Sequence, residues 1–126
     1  MRSYGDVALV PASIHTTKSF ANNHRDLVVK FLAAHMDKAE MIISNRTGAA
    51  QMAALGASKM AIDVPPEAFE TDFERINFQI EFNYTIIDEI YATADFLYSI
   101  GQIDKIPTLV FDPTFVEAAK ELRETT

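Results

Sequence analysis

A chain of 126 residues, 48% of them hydrophobic, has room for one domain with a real core and lacks the composition of a disordered segment. Its 18 acidic against 11 basic residues give a net charge of −7, which argues against nucleic-acid binding because phosphate neutralisation drives that affinity. There is no cysteine, so disulfides, thiolate catalysis and thiolate metal sites are excluded, and no apolar run approaches the ~20 residues of a membrane span.

The charge is uneven. Residues 1–60 hold seven Lys/Arg and four Asp/Glu, whereas residues 61–126 hold four and fourteen. Solvated helix faces account for such charge in a folded domain; the same segregation would let the halves attract each other or steer an anion toward the first. The opening Met1-Arg2-Ser3-Tyr4-Gly5-Asp6 lacks the basic-then-apolar profile of a secretory signal, so the expectation is a chain that stays inside or one whose leader lies in preceding polypeptide.

In chain order, Val7-Ala8-Leu9-Val10 before Pro11 reads as a short strand. Ser13-Ile14-His15-Thr16-Thr17-Lys18 is a polar connector. A long helix follows, with Asn22 or Asn23 able to cap it, Asp26 at its positive end and Leu27, Phe31, Leu32, Ala39, Ile42 and Ile43 as an apolar stripe. Ser44-Asn45-Arg46-Thr47 breaks it, and Thr47 is placed to cap a second helix from Ala49 to about Leu55. Its alanines permit close helix approach, and Gly56 is placed as its stop. Val64-Pro65-Pro66-Glu67 opens a short helix to about Arg75, proline being pre-shaped for the first turn.

Residues 77–84 alternate apolar and polar side chains, which by itself predicts a strand. Thr85 with Asp88 approximates a capping box and starts the next helix, lined by Ile86, Ile90, Ala94 and Leu97 and stopped at Gly101. Asp112-Pro113 starts a terminal helix to about Arg123, with Phe115, Ala118, Ala119 and Leu122 on its buried side. The expected fold class is therefore mostly α, about five helices with one or two short strands. A lone strand cannot satisfy its own backbone, so Val7–Val10 requires a partner in 77–84, in further polypeptide or in a second copy.

Five pieces in order carry a family resemblance: Val7–Val10 with Phe20; Asp26-Leu27-Val28-Val29-Lys30-Phe31-Leu32-Ala33-Ala34-His35; Ile42-Ile43-Ser44-Asn45 with Ala49-Ala50; Asp95-Phe96-Leu97-Tyr98-Ser99-Ile100-Gly101 with Ile106-Pro107; and Asp112-Pro113-Thr114-Phe115. Together they resemble the closing part of the extracellular solute-binding proteins of nitrate/sulfonate/taurine-type ABC transporters. The resemblance implies an α/β periplasmic-binding-protein fold of the two-hinge type, in which residues 1–126 form a single C-terminal segment completing the first lobe. It also implies a crossing at 77–84 that is extended or irregular, a small anionic or sulfur- or nitrogen-containing solute bound between lobes, an ABC permease as partner, and a periplasmic or membrane-anchored extracellular parent. The first-lobe sheet and the second lobe are not in this sequence, and a ligand cleft requires both. Thiamine-pyrimidine synthases share the fold but carry a cysteine-rich segment that this chain lacks.

Against that background, Ser13 and Thr16 in the polar connector and Tyr84 beside a helix cap are the candidate ligand-binding residues, set against the plainer reading of locally satisfied hydroxyls and a core aromatic. His24 and His35 share a helical face but lie three turns apart, too far to hold one metal. Asp88 and Asp95 share a face about 10 Å apart, too far for a cooperating acid/base pair, and read as solvated. The reading is thus a non-enzymatic receptor segment without cofactor or metal, the alternative being a helical module that associates with copies of itself through an exposed strand and helix faces.

Overall fold

A computed structural model describes residues 12–125, which hold six helices and no strand: α1 (Lys18–Asn23), α2 (Arg25–Ser44), α3 (Arg46–Lys59), α4 (Pro66–Arg75), α5 (Tyr84–Ser99) and α6 (Thr114–Thr125). The predominance of helix agrees with the sequence. The Val7–Val10 strand lies outside the described residues.

The strand expected over 77–84 does not form; residues 76–83 are irregular. Alternation alone needs a neighbouring edge to become a strand, and the described residues offer none. Side chains anchor the segment instead. Phe78 meets Phe73 edge-on with ring centroids 5.4 Å apart, and Phe82 meets Phe111 at 6.5 Å.

Helix starts follow capping chemistry, displaced by a residue or two from expectation. Thr17 Oγ1 accepts from Phe20 N and opens α1, a helix not expected from the sequence, which places Asn22 and Asn23 inside α1 and not as caps of α2. Asn45 Oδ1 accepts from Gly48 N and caps α3, the role expected of Thr47. A Cβ at Gly48 would collide with that Asn45 side chain, so the cap itself demands glycine. Asn83 Oδ1 accepts from Thr85 N at α5 in place of the Thr85–Asp88 box. Asp112 Oδ1 accepts from Thr114 N (3.0 Å) and Oγ1 (2.7 Å) ahead of α6. These two donors hold the Asp112 carboxyl below the usual carboxylate range.

Gly56 does not stop α3. The helix runs through it to Lys59, because a glycine inside a helix costs only about 1 kcal/mol while the backbone ladder continues. The stop comes at Ala61, whose φ of 59° is left-handed; Ile62 N donates to Ala57 O and Ala61 N to Ser58 O. The same closure ends α5 at Gly101 (φ 72°), where Gln102 N donates to Leu97 O and Gly101 N to Tyr98 O. One motif therefore carries the suitable residue and the other carries a strained alanine. Ala61→Gly is expected to stabilise the chain by about 1 kcal/mol and Gly101→Ala to destabilise it by about 1 kcal/mol, both read from urea midpoints.

The chain divides into two compact units, residues 1–25 with 81–114, and residues 26–80 with 115–126. The first holds α1, α5 and an aromatic cluster in which Tyr91 and Phe82 both meet Phe111, with the Tyr91 hydroxyl donating to Leu109 O at 3.5 Å. The second holds the larger core. Leu32, Ala33 and Met36 of α2 are buried with Ala119 of α6, and Val28, Val29, Ile80, Phe115, Val116 and Leu122 surround them. Arg123 ties α6 to α2 at the rim, its Nε donating to Asp37 Oδ1 at 2.7 Å and its Nη2 to Glu40 Oε2. In the same unit α3 lies along α4; of the alanine surface expected at Ala49, Ala50, Ala53 and Ala54, the first two are buried and the last two half-buried, and Ala57, beyond the expected helix end, is buried as well.

Candidate functional site

The three residues expected to touch ligand do not form a built site. Ser13 Oγ lies 2.8 Å from His15 Nε2, Thr16 is exposed, and Thr17 serves the α1 backbone. Tyr84, 76% exposed at the start of α5, meets the ring of Phe82 edge-on at 5.8 Å. Among the described residues no hydrogen bond or ring contact joins Tyr84 to Ser13 or Thr16.

No group of three or more metal-ligating side chains occurs among the described residues, and no described helix is long and apolar enough to cross a membrane. His24 and His35 instead sit against aromatic rings, Phe20 at 4.8 Å and Phe31 at 4.3 Å. An open cavity of about 250 Å³ lies within the second unit, lined by Ile42, Ile43, Arg46, Phe73, Ile76 and Phe78 among others. Its one charged group, Arg46, faces Glu74 at 3.4 Å, an exposed pair of the kind that contributes between zero and about 1 kcal/mol.

A stronger feature is the outer face of α3. From Thr47 to Ser58 the helix has no charged side chain. One side is occupied by the buried alanines along α4, yet the other presents Met52 (61% exposed) and Leu55 (60%), continuing past the helix end into Met60 (69%) and Ile62. A helix side that carries exposed Met52 and Leu55 beside only the neutral polar Gln51 and Ser58 suits a position between two layers, and among the described residues α4 lies along the other side. Exposed apolar side chains scattered singly need no explanation, whereas twelve successive helical residues without charge, followed after Lys59 by exposed Met60 and Ile62, do. Sequence reasoning recognised the alanines and passed over Met52, Leu55 and Met60; the missing charge across 47–58 was the available signal.

The whole core points the same way. Among the described residues, only Leu32 and Met36 are large hydrophobic side chains that reach the buried class, and no large side chain is fully enclosed. Side chains that a self-sufficient domain would bury therefore remain on the surface. Compared with known proteins, the chain matches no family model, no curated protein and no solved structure.

Proposed function

We propose that this chain is the closing helical segment of a two-lobed solute-binding receptor that captures a small anion, of the sulfonate, nitrate or taurine kind, for delivery to an ABC permease. In that role α3 and its neighbours clad a β-scaffold supplied by further polypeptide, and the bound solute lies between lobes of the parent. The observation that carries the reading is the exposed side of α3, which from Thr47 to Ser58 carries no charge and presents Met52 and Leu55 to solvent.

Two further points support it. The family pattern implies an extended or irregular crossing at 77–84 where alternation implies a strand, and residues 76–83 form no strand. The family's breaks also fall at helix ends here: Ser44-Asn45 between α2 and α3, Gly101 after α5, and Asp112-Pro113 before α6.

Calorimetry tests the reading. Taurine, nitrate and short alkanesulfonates are expected to bind this chain no more tightly than about millimolar, roughly −4 kcal/mol. The product of the whole reading frame is expected to bind one of them at micromolar concentration. Micromolar affinity in the chain alone, or a reading frame that encodes no further polypeptide, would overturn the proposal.

A further inference from the structure

A second feature is left unexplained by the receptor reading. α2 is apolar on two faces. Its inner face, built from Val28, Val29, Leu32, Ala33 and Met36, packs in the core. Its outer face presents Leu27 (57% exposed) and Phe31 (50%), followed by exposed Ala34 and Lys38, with exposed Lys30 alongside. Leu27, Phe31, Ala34 and Lys38 recur at four-, three- and four-residue intervals, which places them on one stripe.

On α5 the exposed stripe has the opposite sign. Tyr84, Asp88, Asp95 and Tyr98 are all exposed and recur at four, seven and three residues. α5 contains three acidic residues and no basic one. Among the described residues none of Lys30, Lys38, Asp88 and Asp95 forms an ion pair.

We propose that these two stripes are the halves of one interface between copies of the chain, the outer face of α2 on one copy seated on the acidic-aromatic face of α5 on another. The spacings match. Lys30 and Lys38 stand eight residues apart, about 12 Å along a helix, and Asp88 and Asp95 seven, about 10 Å, so each lysine can reach one carboxylate when the helices lie side by side. Leu27 and Phe31 then meet the rings of Tyr84 or Tyr98, giving an apolar centre with charges interleaved at its rim. Both stripes are exposed, and their opposite charge fits a second copy as the occupant.

The uneven charge of the chain acquires a purpose in this arrangement. A net charge of −7 repels copies at long range, but at physiological salt that repulsion is screened beyond about 8 Å while contacts between opposed stripes persist. Charge also separates this surface from the outer face of α3. Between Thr47 and Ser58 the α3 face has no charged side chain and suits lasting burial, whereas the charge-laced stripes suit a reversible contact, and either surface can be covered without the other.

Sedimentation velocity over a concentration series tests the interface. The chain is expected to self-associate, and K30E/K38E is expected to weaken that association at least about tenfold, as is D88K/D95K. Both are exposed charge changes, so circular dichroism should be unaltered. The chain with all four swaps is expected to associate again, and an equimolar mixture of the two double variants is expected to form mixed dimers. A chain that stays monomeric up to millimolar concentration would overturn the proposal. So would association that the double variants leave unchanged, which would place the contact on another face.

Discussion

Leu32→Ala is expected to cost about 3 kcal/mol of unfolding free energy, whereas Leu55→Ala, the same deletion of three carbons, stays within about 0.5 kcal/mol. Leu32 is buried where α2 meets α6, packed with Val28, Val29, Phe115, Val116 and Leu122, and its loss leaves a cavity these neighbours cannot refill. Leu55 projects from α3 with most of its surface in solvent, so its removal takes away little that the folded chain has gained. Urea denaturation monitored by circular dichroism separates the two outcomes. A cost above about 2 kcal/mol for Leu55→Ala would mean that the α3 face is already covered, and the argument for a missing layer would fail.

Ala50→Leu is expected to cost about 2 kcal/mol through overpacking at the α3–α4 contact. Ala50 has no exposed surface, and with Ala49 and Ala57 it lets the two helices lie close. Three added carbons at that point must push α4 away or force a poor rotamer, and the Arg46–Glu74 pair at the rim is too weak to resist. The comparison is Gln51→Leu, one residue on and exposed, where the same side chain points to solvent and the change is expected to stay within about 0.5 kcal/mol. Thermal unfolding of both variants reads the difference directly.

What could be read from the sequence was what depends on neighbours close in the chain. The proline start of α4, the glycine stop of α5 and the Asp112-Pro113 start of α6 all rest on side chains within a turn or two, and all are found close to where they were expected; of the α2 stripe, Leu32 and Ala39 are buried but Leu27, Phe31 and Ile43 are exposed. The errors came where a local signal competed with context. Thr47 looked like a cap, but Asn45 two residues earlier reached Gly48 N and took the role. Gly56 looked like a stop, but the α3 ladder runs through it, and strained Ala61 closes the helix instead. The alternation over 77–84 looked like a strand, but pairing needs an edge, and aromatic contacts at Phe78 and Phe82 fixed an irregular path.

The candidate site was less legible for a related reason. Ser13, Thr16 and Tyr84 stand out by chemistry and position, but chemistry alone does not say which groups converge; Ser13 meets His15 and Tyr84 meets Phe82, both local contacts. The informative surface was instead defined by something missing, the charges that an exposed helix face would ordinarily carry over residues 47–58. The stripes on α2 and α5 were partly visible beforehand, since Asp88 and Asp95 were recognised on one face. Only the exposure of Leu27 and Phe31, residues expected in the core, gave them a counterpart.

The most direct measurement is methionine oxidation by dilute peroxide, mapped residue by residue. In this chain Met52 and Met60 are expected to oxidise nearly as fast as free methionine while Met36, buried between α2 and α6, is protected. In the product of the complete reading frame, Met52 and Met60 should become protected as well, because a further layer then lies over α3. Equal and rapid oxidation of Met52 and Met60 in both forms would contradict the account, leaving α3 a surface that nothing in the parent covers.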